Sequence, residues 1–273
     1  MAEKREVNLN KNDDICVTTH NDLLDFLAVF GELKTASYKL LYFALSQVLI
    51  TDKKFYKYEL SLSDFVAVTG GSKTTIKNYF KTKDGVCEAE RISNELMNLK
   101  ITLRNDTEHK KIHVFDYIQY DTKKKTFGWL IGPSMQHYLL NLKKRGNYMH
   151  PLFSDFAQLH SVRAMQLWHI MQSHNYMNSK KPNSTNIYEF EISDSQLREW
   201  TNTHKILLRR NNFRDRVILR PVKEISDILS LSIDVKATET GHKFSVRSQF
   251  YVAPDKIKSI TQKYPGIQKY NGV

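Results

Sequence analysis

Apolar and polar positions along the first half of the chain alternate between helical and strand-like spacing. Between Thr35 and Val48, apolar residues recur at three- and four-residue steps, which predicts an amphipathic helix. Residues 57–62 alternate as a strand, and Ser63 with Asp64 caps a helix behind it. The remaining predicted elements are helices over 73–81 and 88–99, strands over 111–120 and 126–131 with a hairpin tip at 121–125, and a closing helix over 135–142.

After a polar stretch at 143–147 the same order starts again. The predicted elements are a helix over 161–173, a strand over 187–192, a capped helix over 193–200, a longer helix over 212–229 and a β-hairpin over 231–252. Residues 58–64 and 188–194 match at five of seven positions, counting Leu and Ile as equal. A repeated element order supported by a residue match indicates one unit built twice.

A helix–turn–helix followed by a β-hairpin is the winged-helix order, so we predict an α+β fold with two tandem winged-helix domains. The expected domains are a flexible N-terminal arm over 1–30, winged helices over 31–147 and 148–253, and a basic tail over 254–273. Two such domains would present two recognition helices and two wings to DNA, with each helix in a major groove.

Charge narrows the choice of partner. Lys and Arg total 41 against 29 Asp and Glu, a net charge of +12, which favours nucleic acid first and an anionic membrane second. The two cysteines, Cys16 and Cys87, exclude a disulfide framework and a four-cysteine metal site. No signal-peptide pattern or membrane-length apolar run is present, so we expect a soluble, cytoplasmic protein.

Two segments resemble the plasmid replication initiators (Rep proteins) that bind directly repeated DNA elements, called iterons. In residues 159–168, a Ser and an Arg precede a Leu-aromatic pair, Leu167 and Trp168. Residues 213–225 carry Phe, basic residues, a Pro and then Lys-Glu-Ile. A looser likeness extends over 32–47 and 62–64.

This resemblance implies a set of partners and no catalytic site. Members of the family bind iterons as monomers through both winged helices, and as dimers they often repress their own promoter. The N-terminal domain carries the dimer contact and the C-terminal domain makes the main base contacts. The proteins melt an adjacent A·T-rich segment together with a host initiator and recruit the replicative helicase. A bacterial, plasmid-associated protein without cofactor, metal or small-molecule substrate is therefore expected.

The densest basic stretch lies where the second winged helix needs a recognition helix. Arg can donate two hydrogen bonds to guanine and Asn can pair with adenine, although Asn also caps helices. Candidate DNA contacts in this half are Lys205, Arg209, Arg210, Asn211, Asn212, Arg214 and Arg216 on the helix, and Lys236, His242, Lys243 and Arg247 on the wing. Pro221 should kink this helix or mark a break. The alternative is a solvated basic face.

Lysines dominate the candidate contacts of the first half. They are Lys73 and Lys77 on a helix, Lys100 and Arg104 after the next helix, and Lys110, Lys111, Lys123, Lys124 and Lys125 on the hairpin. Contacts of this kind would go to phosphates and would weaken with salt. A lysine run at a turn is also common on ordinary surfaces.

Catalytic motifs do not fit the chain. In residues 70–75, Ser72 precedes Lys73 where a phosphate-binding loop has glycine, and the segment follows a helix, so Gly70 and Gly71 indicate a helix–helix turn. The pairs His109/His113 and His169/His174 have the wrong spacing for a metal-dependent nicking site. Three alternatives stay open: a transcriptional regulator without a replication role, a DNA-nicking initiator enzyme, and a protein that uses its charge non-specifically.

Overall fold

Two three-stranded sheets with flanking helices organise the protein. The structure, a computed structural model, describes residues 2–9, 15–104, 109–145, 148–149, 151–179 and 187–248. The expected basic tail over 254–273 lies outside the described residues. No helix in those ranges is long and apolar enough to cross a membrane.

The first winged-helix unit comprises the described part of residues 2–158. Its elements are β1 (Thr19–His20), a 3-10 helix (Asn21–Phe26), α1 (Leu27–Phe30), α2 (Thr35–Ser46), β2 (Lys57–Ser61), α3 (Leu62–Val68), α4 (Lys73–Tyr79), β3 (Thr82–Lys83), β4 (Val86–Cys87), α5 (Glu88–Met97), β5 (Lys100–Arg104), β6 (His109–His113), β7 (Phe115–Asp121), β8 (Thr126–Ile131), a 3-10 turn (Pro133–Met135), α6 (Gln136–Leu139), α7 (Leu142–Arg145), β9 (Tyr148–Met149) and α8 (Phe153–Gln158).

The second winged-helix unit comprises the described part of residues 159–248. Its elements are α9 (Val162–Ser179), β10 (Ile187–Ser193), α10 (Asp194–Trp200), α11 (Arg210–Phe213), a π-helical turn (Arg214–Leu219), α12 (Arg220–Leu229), β11 (Leu231–Ala237) and β12 (Gly241–Ser248). The segments from Arg210 to Leu229 form one continuous helix, called below the 210–229 helix.

Both sheets are antiparallel. In each sheet a β-hairpin forms the wing: β7 with β8 in the first unit, and β11 with β12 in the second. The strand orders are β2-β8-β7 and β10-β12-β11. The register sets Tyr58 opposite Trp129 and Phe190 opposite Phe244, so aromatic pairs cover the core face of each sheet. The prediction of two tandem winged helices is confirmed.

Serine side chains cap the N-termini of α3 and α10, the helices that follow β2 and β10. Ser61 Oγ accepts the N–H of Asp64 at 3.0 Å, and Ser193 Oγ accepts that of Gln196 at 3.2 Å. Helix α3 therefore begins at Leu62, one residue before the predicted Ser63–Asp64 cap. Ser72 caps α4 across the turn formed by Gly70 and Gly71, which confirms that these glycines join two helices.

The expected flexible arm over 1–30 is wrong for the residues described there. Val17, Leu23, Leu27 and Phe30 are fully buried, and β1 pairs with β9. Short apolar steps over 23–30 give a buried helical face, which the polar residues nearby obscured. Nearer the terminus, Arg5 makes bidentate hydrogen bonds of 2.7 and 2.9 Å to Asp52.

The boundary expected at residue 148 also moves. Residues 148–158 pack on the first winged-helix unit, where Phe153 meets Phe43 at 5.3 Å between ring centroids and Phe156 meets Tyr42 at 4.6 Å. The first unit therefore continues beyond the polar residues at 143–147. The second unit starts near α9.

Two further elements differ from their predictions for backbone reasons. The expected strand over 111–120 is two strands, because β6 pairs with β5 in its own hairpin and β7 pairs with β8 in the wing. Pro221 neither breaks nor ends its helix. A proline lacks an N–H and crowds the carbonyl four residues earlier, and the wide turn just before it, closed by the Arg220 N–H to the Asp215 carbonyl, accommodates it.

Candidate nucleic-acid interface

The turn between α10 and the 210–229 helix is held from the inside by Arg198. Its guanidinium lies 4.0 Å from the centroid of the Phe213 ring and donates to the Leu207 carbonyl at 3.1 Å. Leu207 and Asn202 have positive φ angles of 55° and 50°, which let the chain reverse tightly. The turn is thus fixed without using the outward side chains of the following helix.

The 210–229 helix is sharply two-sided. Its inner face is apolar and buried, with Phe213, Val217, Ile218 and Ile225 at 1% exposure or less. The outer face carries all the basic and amide residues expected from the sequence: the exposed side chains Arg209, Arg210, Asn211, Asn212, Arg214 and Arg216, with Lys205 exposed in the preceding turn. Three further exposed residues that the sequence reasoning missed, Leu219, Arg220 and Lys223, continue this face.

The arginines of this face differ in whether they already have a partner. Arg210 pairs with Asp194 at 3.2 Å, and Arg220 pairs with Asp215 at 2.7 Å. Across the ranges that the structure describes, Arg209, Arg214 and Arg216 form no ion pair. These three side chains are therefore the ones available to an anionic partner.

The asparagines keep their candidate role as base readers. Arg209 is the N-cap residue of α11 and has no side-chain cap bond, so neither Asn211 nor Asn212 caps this helix. Both are exposed in its first turn, next to Arg209 and Arg210. Their amides point away from the protein core.

His242 does not belong to the interface, and its expected phosphate contact is wrong. The side chain is fully buried behind the second wing, with Nδ1 2.9 Å from Asp194 Oδ1. Burial lowers the pKa of His242, which favours the neutral ring. The sequence placed it correctly in the hairpin, but the two-residue alternation turns it inward.

The remaining cations of the second wing are partly neutralised. Lys243 pairs with Glu189 at 2.8 Å and Lys236 with Asp234 at 3.6 Å, while Arg247 is exposed. Exposed pairs of this kind contribute little stability, and a phosphate could displace the acids. The hairpin turn carries Glu239 and no lysine.

The first wing presents a more open cationic tip. Asp121 Oδ1 accepts the N–H groups of Lys124 and Lys123 at 3.0 and 2.9 Å; these bonds lower the pKa of the Asp121 carboxyl and fix the turn. Lys125 Nζ lies 5.1 Å from the Phe80 ring centroid, which places the tip against the end of α4. We call Lys77, Lys123, Lys124 and Lys125, all exposed, the first-wing patch.

The other lysines and the arginine expected in the first unit lie apart from this tip. Lys100 and Lys111 are exposed on the β5–β6 hairpin, which is separate from the wing. Lys73 begins α4, Arg104 ends β5 and Lys110 lies in β6, but their side chains fall outside the described residues. The hypothesis that Lys110 and Lys111 decorate the wing is corrected, since their strand pairs with β5.

Helix α5, the counterpart of the 210–229 helix, has an acidic character. It carries Glu88, Glu90 and Glu95, and its Arg91 pairs with Asp84 at 3.5 Å. A helix with this charge is poorly suited to approach DNA. The cations of the first unit that were expected to contact DNA are instead on α4, the wing tip and the β5–β6 hairpin.

One group of possible metal ligands lies elsewhere. Atoms of His20, Asp22 and His137 come within 4.8 Å of one another, although His137 is far from the other two in sequence. His20 Nδ1 accepts the N–H of Asp22 at 3.3 Å and so caps the 3-10 helix that begins at Asn21. This capping contact accounts for the position of His20.

Two winged-helix units, one with an outward cationic helix, define the class as a tandem winged-helix protein. A family model described as "Initiator Replication protein, WH1" matches residues 16–172, which is more than half of the chain. The chain therefore belongs to this family of replication initiators. The match starts within the N-terminal segment that the structure shows to be packed.

A comparison with solved structures finds the same architecture. The structure described as "Crystal structure of Pi initiator protein in complex with iteron DNA" is similar with a TM-score of 0.69 and 14% identity, covering 87% of this chain and 98% of that one. At this identity the likeness establishes the fold. No curated protein matches the chain.

Proposed function

We propose that the protein binds double-stranded DNA sequence-specifically at directly repeated origin elements (iterons) and initiates plasmid replication. The observation that carries this proposal is the set of arginines without an ion pair among the described residues, Arg209, Arg214 and Arg216, on the outer face of the 210–229 helix. Family membership supports the role in replication, and the similar solved structure is of the Pi initiator protein in complex with iteron DNA.

The two units would divide the work. The 210–229 helix would enter a major groove, where Arg214 and Arg216 can read guanine and Asn211 or Asn212 can read adenine. The first-wing patch would bind phosphates of the neighbouring turn, which positions the protein without reading sequence. Arg210 would chiefly support the helix, because it bonds Asp194 and the Thr238 carbonyl.

Further parts of the proposal rest on the family alone. They are opening of an A·T-rich segment, recruitment of a host initiator and the replicative helicase, and repression of the protein's own promoter as a dimer. The same reasoning gives a non-enzymatic protein that acts in the bacterial cytoplasm on its plasmid.

The test is fluorescence anisotropy over a salt series with duplexes from the DNA that flanks the native gene. We expect the repeated duplex to bind on the order of a thousandfold more tightly than a scrambled one. Arg216→Ala should cost about 1–3 kcal/mol on the repeat and relax the preference at one base pair, since a bidentate contact is lost. Arg91→Ala is the matched control, because that arginine lies on α5 and pairs with Asp84.

Equal, steeply salt-dependent binding to repeated and scrambled duplexes would contradict the proposal. Selective binding to an inverted promoter repeat alone would favour a transcriptional regulator. Metal-dependent nicking of supercoiled DNA would favour an enzyme. A fully active Arg214→Ala, Arg216→Ala double variant would remove the 210–229 helix from the interface.

A further inference from the structure

Leu219 is an apolar side chain in the middle of an otherwise polar helix face. It is 40% exposed, while its neighbour Ile218 is fully buried. Single exposed leucines are ordinary on protein surfaces, so exposure alone argues nothing. The position does: the exposed cations Arg216, Arg220 and Lys223 flank it, and Lys223 follows four residues later in α12. Residues four apart in an α-helix share one face.

The backbone explains why a leucine lies on this face. The π-helical turn from Arg214 to Leu219 has one residue more per turn than an α-helix and is closed by the Arg220 N–H to the Asp215 carbonyl. Val217 and Ile218 on the inner side fill the core, at 1% and 0% exposure. Leu219 then falls on the outer side, between the exposed residues Arg216 and Arg220 in the chain.

Resting on the proposed function, we infer that Leu219 reads the 5-methyl group of a thymine beside the base pair contacted by Arg216. Base edges in the major groove offer hydrogen-bonding groups and one apolar feature, the thymine methyl. The neighbouring cations would draw the helix toward the phosphates. Leu219 would then face the base edges, where the thymine methyl is the apolar group that it can contact. Leu219 is thus a specificity-determining residue for an A·T pair within the repeat.

The test is selection of bound duplexes from a random DNA library with wild type, Leu219→Ala and the control Leu49→Ala. Leu49 is 51% exposed in the first unit, at a site away from the 210–229 helix. Wild type and the control should enrich the same motif, and Leu219→Ala should lose the thymine preference at one position only. Thermal unfolding of each variant checks that the proteins are equally folded.

Deoxyuridine then tests the chemistry on the selected duplex, since it differs from thymidine by the methyl group alone. Replacing that one thymine should weaken wild-type binding about fourfold, the effect of burying one methyl-sized group. The same replacement should leave the affinity of Leu219→Ala unchanged, because the contact is already gone.

The outcomes separate this inference from the proposed function. If wild type enriches no motif, the proposed function fails. If wild type enriches a motif that Leu219→Ala shares in full, or if deoxyuridine weakens both proteins alike, Leu219 does not read the methyl. A uniform loss of affinity for all sequences by Leu219→Ala would also overturn the inference.

Discussion

Gly31 and Gln166 provide a direct test of how the two winged-helix units are joined. Gln166 is fully buried on α9, and its Nε2 donates to the Leu27 carbonyl of the first unit at 2.6 Å and to the Trp200 carbonyl at 3.4 Å. Its Oε1 accepts a hydrogen bond from Arg163 at 2.9 Å. A Cβ atom at residue 31 would lie 2.1 Å from Gln166 Nε2, so Gly31→Ala must displace this side chain.

The cost follows from the buried Gln166 amide, which loses its acceptors; the Leu27 carbonyl keeps the N–H of Gly31 at 2.8 Å. Gly31 has φ −67°, which any residue adopts, so the backbone adds no strain. A buried polar group left without a partner costs about 1–3 kcal/mol, and alanine offsets about 0.4–1 kcal/mol by restricting the unfolded chain. We expect Gly31→Ala to lower the free energy of unfolding by about 1 kcal/mol in the wild type. In a Gln166→Ala background the space is open, and the same change should instead raise it by about 0.4–1 kcal/mol.

The coupling between residues 31 and 166 is measured by equilibrium urea unfolding, followed by circular dichroism. The four proteins are the wild type, Gly31→Ala, Gln166→Ala and the double variant. We expect a coupling energy of about 2 kcal/mol between the two positions. The control is Gln158→Ala, because Gln158 is exposed and its amide donates to a carbonyl of its own helix, that of Ser154. If Gly31→Ala costs the same with and without Gln166, the proposed displacement of that side chain is refuted.

Two other expectations follow from charge and burial. Lys124→Ala should weaken binding to all duplexes alike and reduce the slope of log affinity against log salt by about one, and an unchanged slope would remove the first-wing tip from the interface. Burial lowers the pKa of His169 to about 3, whereas the unfolded chain titrates near 6.5. The unfolded state therefore binds more protons between these values, so His169 should cost about 2 kcal/mol of stability as pH falls from 7 to 4.5. Urea unfolding at both values should show a smaller loss for His169→Gln, and equal losses would contradict this.

Periodicity predicted the architecture well because the strands face a core on one side. The run around Tyr58 and the run around Phe190 alternate cleanly, and both became the first strands of their sheets. The polar stretch at 143–147 was misleading as a boundary, since composition cannot show that Phe153 and Phe156 turn back onto α2. Packing of the N-terminal segment was missed because its helical pattern over 23–30 is short.

Charge counting located the cationic helix but not the partners of each charge. Arg216 and Arg210 look equivalent in sequence, yet of the two only Arg210 forms an ion pair with a described residue, Asp194. The sequence suggested His242 as a phosphate-contacting residue of the wing. Its side chain is buried, and burial lowers its pKa and favours the neutral ring. Leu219 was passed over because an aliphatic residue in a helix normally belongs to the core face. These distinctions need the three-dimensional placement of neighbouring elements.

A similar internal contact in both units explains how they can differ in charge and share a fold. In the first unit, Glu95 of α5 accepts the N–H of Lys34, the N-cap residue of α2, at 3.1 Å. In the second, Glu224 of α12 accepts the N–H groups of His160 and Ser161 at 2.7 and 2.9 Å, just before α9.

Each glutamate precedes a fully buried aliphatic residue, Leu96 or Ile225. The glutamate and the aliphatic residue together hold α5 against the start of α2, and α12 against the start of α9. A carboxylate at a helix N-terminus is favoured by the free N–H groups there, so this contact needs these side chains and nothing from the outer face. Because the contact and the core hold each helix, its outward residues can vary independently. Acidic α5 and the cationic 210–229 helix can therefore occupy equivalent positions, and their opposite charges support the proposal that the second unit reads the bases.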